Sequence, residues 1–282
     1  MGGRQDKSRP EGLSRGKGSN DGERFMDRSE QKKQYWFVIR ELTSREIKRK
    51  YSRSKLGIVW SVLNPLLTMA VLSLIFSKMF ARSIENFPIY YLSGYVLWHL
   101  FTEATNSAMT TLVDNKTLLI KVRYPMRIFV LSRIYTAIVN LGYSMIAYVA
   151  MLCVFRIRPH WTMLFFPVIV VCLVLFATGV AYILTTAYVF FGDVKHLYGV
   201  LLTLWMYMSA IFYPADRLEG FIHIVVINNP IFTYINGMRE IVMYGILPSS
   251  VEITKMVLWA VVVYLIGNIV FNKNKNKIMQ KI

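Results

Sequence analysis

The amino-acid sequence predicts an all-α membrane protein with six transmembrane helices. The 282 residues are 55% hydrophobic and have a mean hydropathy of +0.40. Apolar runs near the length of ~20 residues that spans a bilayer recur along the chain, and most Lys and Arg fall on alternate connections between them. A net charge of +17 is also typical of nucleic-acid-binding proteins. The apolar content favours a membrane instead, so we expect membrane lipids and no nucleic acid as partners.

The N-terminal residues precede the first apolar run and divide into two segments. Residues 1–30 mix Gly, Ser, basic and acidic residues. We expect a disordered cytoplasmic N-terminus there, because so polar a segment buries too little apolar surface to offset its ordering entropy. Residues 31–55 predict an amphipathic interface helix, with Trp36 and Phe37 in the lipid surface and Lys48 near anionic head groups.

The apolar runs predict one transmembrane domain over residues 56–271, followed by a basic cytoplasmic tail over residues 272–282. The second run is polar for a span, the fifth is short, and the first contains Pro65, which frees a backbone carbonyl and kinks a helix. The six runs cover residues 56–79, 88–112, 128–155, 162–190, 197–213 and 250–271.

The distribution of cations predicts the orientation of the chain. If the N-terminus is cytoplasmic, six spans return the C-terminus to the cytoplasm. The cytoplasmic pieces 1–55, 113–133, 191–197 and 272–282 then hold 26 of the 33 Lys and Arg residues. Cytoplasmic loops carry such an excess, so we expect a multi-pass protein of the inner membrane with both termini inside.

Three stretches together resemble the membrane subunit of ABC-2 type exporters of O-antigen, teichoic acid and related cell-surface polysaccharides. ELTSREIKRKYSRSKLGIVWSVLNPLL is similar to the N-terminal signature of that family, DNKTLLIKVRYPMRIFVLSRI to its first cytoplasmic loop, and IFYPADRLEGFIHIVVINNPIFTYINGMREIVMYG to its outer segment. They occur in the family's order, and the resemblance covers roughly residues 35 to 272. The signature residues are Arg49, Tyr51, Ser54, Leu56, Gly57, Trp60, Pro65 and Leu66.

The resemblance implies a type V exporter-like fold with an interface helix, a cytoplasmic coupling helix and re-entrant outer gate helices. It also implies a homodimer that forms a channel for a lipid-linked polysaccharide and is driven by two ATP-binding cassette subunits. The chain has no GxxxxGK[ST] phosphate loop. We therefore expect no catalytic residue, cofactor or metal in this chain, and we expect ATP and Mg²⁺ to bind the partner subunit.

The loop between the second and third spans predicts a short amphipathic helix that Pro125 would end. Its apolar patch suits docking to a partner, although a helix resting on lipid would show the same pattern. By resemblance, the partner is the ATPase. The predicted coupling residues are Leu118, Leu119, Lys121, Val122 and Arg123.

Aromatic and hydroxyl side chains recur at helical spacing in the second span, and further aromatic residues follow in the fifth. Aromatic faces stack on the C–H faces of sugars, so these residues are candidates for the lining of the substrate channel. Interfacial anchoring and core packing explain the same pattern. The candidates are Tyr91, Tyr95, Trp98, Thr102, Trp205, Phe212 and Tyr213.

Two further groups of residues are candidates for substrate handling. Basic residues at the cytoplasmic lipid boundary could receive a phosphate-bearing head group, or could simply anchor the topology; they are Arg49, Arg53 and Lys55. Residues 214–248 are apolar but broken, which predicts two short helices dipping in from outside, because irregular backbone at membrane depth must be buried or line a cavity. The outer-gate candidates are Pro214, Asn229, Pro230, Arg239 and Glu240, of which the last two could pair with neighbours or meet an anionic substrate.

Other functions stay open at the level of the sequence. An ABC-2 drug or antibiotic exporter would have the same architecture. A proton-coupled flippase for lipid-linked saccharides would need a relay, for which His99 and Glu103 are the candidates, although the same two residues could be a hydrogen-bonded packing pair. A membrane glycosyltransferase or acyltransferase is disfavoured, because the chain has no DxD and no HxxxxD motif.

Overall fold

The computed structural model describes residues 28–52, 54, 56–57, 59–79, 84, 86–121 and 124–282. Side chains of residues 28–32 and 77–79 fall outside the described set. The disordered segment predicted for residues 1–30 therefore lies almost entirely outside the described residues.

The described part of the chain folds into α-helices. Short 3₁₀ segments cover Trp161–Phe165 and Ala215–Arg217, and a π-helical turn covers Glu240–Tyr244. The α-helices are α1 (Arg28–Tyr51), α2 (Val59–Met79), α3 (Phe87–Met109), α4 (Thr111–Asp114), α5 (Lys116–Lys121), α6 (Arg127–Val154), α7 (Phe166–Phe190), α8 (Val194–Tyr207), α9 (Gly220–Ile227), α10 (Pro230–Arg239) and α11 (Ser250–Lys281).

Four helical stretches of the described chain are long and apolar enough to cross a membrane. They are Val59–Phe76, Arg127–Val154, Trp161–Phe190 and Ser250–Lys281. Helix α3 is long enough, but it carries Glu103 and several hydroxyl side chains. Helix α8 has 14 residues and is about 21 Å long, which is shorter than the ~30 Å hydrocarbon core. Membrane crossing by α3 and α8 stays a prediction.

Helix α3 lies at the centre of the protein and packs on α2, α6, α7 and α10. Most of its side chains are buried, because neighbouring helices surround it on several sides. The exposed or half-exposed positions fall on one strip that includes Tyr95, His99, Thr102 and Asn106. Helix α3 therefore presents one polar and aromatic strip while the rest of its surface is in the core.

Helices α7 and α11 make the closest helix pair. Gly179 of α7 faces Gly267 of α11, so the two backbones touch with no side chain between them. Small residues permit this close approach in membrane helices. Helix α11 extends to Lys281, ten residues past the end of the predicted span, and the basic tail is helical. Its cations lie where the negative end of the helix dipole stabilises them.

Helix α1 lies against α6. The Trp36 and Tyr135 rings meet edge to face with centroids 4.9 Å apart, and the Thr43 hydroxyl donates to the Ser132 carbonyl at 3.1 Å. Phe37 is exposed. These contacts fix one side of α1 to the helical bundle, and its predicted position at the membrane surface stays a prediction.

Candidate translocation and coupling sites

A row of aromatic rings runs along α3 from the core to its half-exposed strip: Tyr91 is 1% exposed, whereas Tyr95 and His99 are half-buried. The Tyr91 ring stacks on Phe212 with centroids 5.8 Å apart and lies 5.4 Å from Tyr95, and Tyr95 in turn lies 5.8 Å from the His99 ring. Phe212 follows the end of α8, where Tyr207 is 6.0 Å away. Three predicted channel residues, from two spans far apart in the sequence, are thus brought together. We call Phe212, Tyr91, Tyr95 and His99 the aromatic row.

The other predicted channel residues lie apart from the aromatic row. Trp98 is 6% exposed and packs on Phe101, and Trp205 meets the same Phe101 ring edge to face. Thr102 bonds to the His99 carbonyl within its own helix, and the Tyr213 hydroxyl bonds to the Tyr207 carbonyl. Trp98 and Trp205 therefore fill the core between α3, α7 and α8, and their lining role stays a prediction.

A polar cluster lies at the end of the aromatic row nearest α1. The Glu103 carboxylate accepts from Lys50 Nζ at 2.7 Å and from Asn140 Nδ2 at 2.6 Å, while His99 Nδ1 is 3.7 Å away. Burial disfavours the charged ammonium of Lys50, but the Glu103 carboxylate outweighs burial and raises the Lys50 pKa above its usual value. Glu103 is thus held by an ion pair and an amide, which favours a packing role over a proton relay.

The C-terminal part of α1, helix α4 and the N-terminal part of α6 are joined through the side chain of Arg133. This buried guanidinium pairs with Glu46 of α1, donates to Thr111 Oγ1 at 3.2 Å, and lies 3.9 Å from the Asp114 carboxylate. Glu46 also pairs with the exposed Arg49 at 2.8 Å, so Arg49 has a partner within its own helix. The other predicted head-group residues, Arg53 and Lys55, lie outside the described residues.

Helix α5 occupies the position of the predicted coupling segment. Leu119 is 4% exposed and Leu118 packs against the core, so both point largely into the protein. Ile120 is 65% exposed and lies beside the exposed Lys121. The sequence pattern alone did not single out Ile120, because an i, i+4 pattern does not tell which apolar face the bundle covers. Val122 and Arg123 lie outside the described residues.

Arg239 of α10 is buried, with 2% of its surface exposed. Its Nη2 donates to the carbonyls of Ala210 and Ile211 at 3.0 and 3.2 Å, and its guanidinium lies 3.4 Å from the centroid of the Tyr90 ring. These carbonyls have no helical partner, because the backbone leaves the helical conformation after α8. Ala210 has a φ of +48° there. Arg239 thus satisfies the broken end of α8.

Asn229 and Pro230 begin α10 and also join it to α8. Asn229 Oδ1 accepts from the Ile231 amide at 3.0 Å as an N-cap and from Trp205 Nε1 at 2.8 Å. Its Nδ2 donates to the Met208 carbonyl at 2.9 Å. Pro230 stands at the first turn of α10, where a missing amide proton costs nothing.

Glu240 follows directly after α10 in an acidic pair. Asn236 Nδ2 bridges Glu240 Oε1 at 2.9 Å and Glu252 Oε1 at 3.1 Å. Burial and the neighbouring Glu252 carboxylate raise the pKa of Glu240 to about 7. Glu240, Arg239 and Pro214 border one cavity of about 350 Å³. Three of the five predicted outer-gate residues are therefore close in space, while Asn229 and Pro230 lie at the opposite end of α10, and the gating role of all five stays a prediction.

The fold and these sites define a class: an all-helical membrane protein with several apolar helices around a polar and aromatic central helix. Residues 38–243 match the ABC-2 type transporter family, and the chain belongs to that family. It is 27% identical over 251 residues to the O-antigen export system permease protein RfbA of Myxococcus xanthus, covering 88% of this chain and 96% of that protein. The RfbA permease of Klebsiella pneumoniae is 25% identical, with 83% and 90% covered. The polysialic acid transport protein KpsM of Escherichia coli is 20% identical, with 82% and 90% covered.

Proposed function

We propose that this chain is the permease of an ATP-driven exporter that moves a lipid-linked cell-surface polysaccharide across the cytoplasmic membrane. The observation that carries the proposal is the similarity to O-antigen permeases along nearly the whole chain. The aromatic row supports it chemically. Its half-buried rings Tyr95, His99 and Phe212 can offer flat faces to the C–H faces of sugars, and such weak contacts hold a polymer without stopping its movement.

The proposed assembly is a homodimer with two separate ATPase subunits that bind ATP and Mg²⁺. Helix α2 supports the dimer, because only 11% of its apolar stretch Val59–Phe76 is buried within the chain and Leu74 is 78% exposed. A second copy could cover that face. Exposed Ile120 on α5 supports the ATPase contact, since an apolar knob next to a lysine suits docking into a groove of a partner.

In the proposed topology α3 and α8 complete six crossings, with both termini in the cytoplasm. Ion pairs between α1, α4 and α6 cluster on the side that carries the excess of cations. The Arg133 network then connects the ATPase-facing helix α5, through α4, to the interface helix α1. A movement of the ATPase subunit would therefore be transmitted to α1 and α6 together through this network.

The test is ATP-dependent transport by the purified chain and its candidate ATPase in proteoliposomes. We expect export of a labelled lipid-linked polysaccharide to need both proteins, and Ile120→Asp to reduce their co-purification and export at least fivefold. Leu164→Asp is the matched control, because Leu164 is also exposed but lies in the 3₁₀ segment before α7, which the proposed topology puts on the opposite side of the membrane. Transport of the polysaccharide by this chain alone, or of a drug in its place, would refute the proposal.

A further inference from the structure

A cavity of about 320 Å³, with polar and apolar groups in its lining, lies between the end of α1 and helices α2, α3 and α6. Small-ligand sites begin at about 300 Å³, so the cavity is large enough for a small head group. Its lining includes Tyr51, Trp60, Asn64, His99, Asn140 and Ser144. We call this space the head-group cavity.

Among the described residues that line the head-group cavity, the charged side chain already has an ionic partner. Lys50 also lines the cavity, but its ammonium is paired with Glu103 at 2.7 Å. A phosphate at this position would have to compete with that carboxylate for one cation and would lie beside a negative charge. The cavity therefore disfavours an anionic ligand.

The wall of the cavity contains a buried acceptor that lacks a donor. Asn140 is 1% exposed, its Nδ2 donates to Glu103, and its Oδ1 has no hydrogen-bond partner. Glu103 Oε2 is also buried and accepts no hydrogen bond, with His99 Nδ1 3.7 Å away. Buried polar atoms without partners are costly, and hydroxyl groups of a ligand would supply the missing donors. The lining thus fits a ligand rich in hydroxyls.

Aromatic surface is available on the α2 side. Trp60 is 39% exposed at the start of α2, and Tyr51 is fixed by a hydrogen bond to Ser61. A ring with an apolar face and a polar edge can cover a sugar on one side while the hydroxyls of the sugar meet Asn64 and Asn140 on others. This combination of flat aromatic and amide groups is suited to a neutral pyranose.

The head-group cavity and the aromatic row share one residue. His99 lines the cavity and is also the last ring of the row, 5.8 Å from Tyr95. We propose that the head-group cavity binds a neutral sugar ring of the lipid-linked substrate at the cytoplasmic side, before the saccharide moves along the aromatic row. The inference rests on the proposed function and adds the chemical identity of the group that is recognised.

The test is photolabelling of the full chain in lipid nanodiscs with an alkyl glucoside that carries a diazirine next to its head group. We expect saturable labelling of the peptide that contains Trp60 and Asn64. Excess octyl glucoside should compete with the probe, and octyl phosphate should not. Asn64→Leu and Trp60→Leu should each reduce the saturable labelling at least fivefold.

Asn228→Leu serves as the matched control, because Asn228 is exposed at the end of α9 and bonds only to its own helix. Asn64 is exposed, so its replacement is expected to leave the melting temperature of the protein unchanged. Unsaturable labelling, labelling that survives both cavity variants, or stronger competition by octyl phosphate would each overturn the inference. The measurement needs no ATPase, so its result is independent of whether ATP-dependent export is observed.

Discussion

The contact between Gly179 and Gly267 gives a prediction whose size follows from the structure. A methyl carbon added at Gly267 would lie 2.8 Å from the carbonyl carbon of Gly179 and closer still to its oxygen, where ordinary contacts begin at 3.4 Å. Helices α7 and α11 would therefore have to separate by at least ~0.6 Å along much of their shared length. The obstacle is backbone, which cannot rotate away as a side chain can.

We expect Gly267→Ala to destabilise the protein by about 1–3 kcal/mol, the usual cost of overpacking a tight core. This cost is net of a gain of about 0.5–1 kcal/mol that alanine brings to a helix interior. Gly142→Ala in α6 is the matched control, because nothing lies within 4 Å of its added methyl group. Gly142→Ala should show only the gain that alanine brings to a helix interior, so the free energy of unfolding should be unchanged or slightly higher.

The assay is thermal unfolding of the purified protein in detergent, followed by intrinsic fluorescence. On the scale of soluble domains, 1 kcal/mol moves the melting temperature by roughly 2–4 °C. Gly179→Ala should behave like Gly267→Ala, and the double variant should cost less than the sum, because one separation of the helices relieves both clashes. Equal melting temperatures for Gly267→Ala and Gly142→Ala would refute the close-contact argument.

Three further predictions concern the candidate sites. Glu240 has a folded-state pKa of about 7, so its contribution to stability is present below its unfolded pKa of ~4.3 and is lost as the pH rises through 7. Glu240→Gln should flatten the fall in melting temperature between pH 5.5 and 8, and an unchanged slope would contradict the assignment. Arg239→Lys should destabilise the fold by about 2–4 kcal/mol, because one ammonium cannot replace the planar guanidinium on three carbonyls and a ring; a melting temperature within 2 °C of wild type would count against it. Arg133→Met should weaken the dependence of ATP hydrolysis on substrate while the ATPase still co-purifies, and normal coupling would argue against transmission through that residue.

The sequence indicated the apolar helices because spans in lipid must satisfy their backbone within themselves and so need long apolar runs. Four of the six predicted runs correspond to helices that are long and apolar enough to cross. The second and fifth runs were harder to recognise as spans. Helix α3 carries polar groups that the neighbouring helices cover, and α8 ends after 14 residues. The sequence predicted that the last span ends at residue 271, whereas α11 continues to Lys281. Alternating Asn and Lys residues do not oppose a helix that is already formed.

Membership in the ABC-2 family was visible in three short stretches of residues, because local signatures survive where overall identity falls to 20–27%. Spacing also placed Tyr91 and Tyr95 on one helical face. Spacing did not show that Tyr91 and Trp98, on the same predicted stripe, turn into the core, with 1% and 6% of their surfaces exposed. A stripe spans a wide arc of the helix, and only the neighbouring helices decide which part of the arc is covered.

Composition and periodicity thus determined that this chain lies in a membrane and where its apolar helices run, since each depends on residues near one another in sequence. The distribution of charge predicts which side is cytoplasmic. Only the tertiary structure joined Lys50 to Glu103 and Asn140, placed Phe212 on Tyr91, and turned Arg239 into the core. Those contacts link residues 37 to 149 positions apart. The packing of whole helices brings such residues together, and no local pattern encodes it.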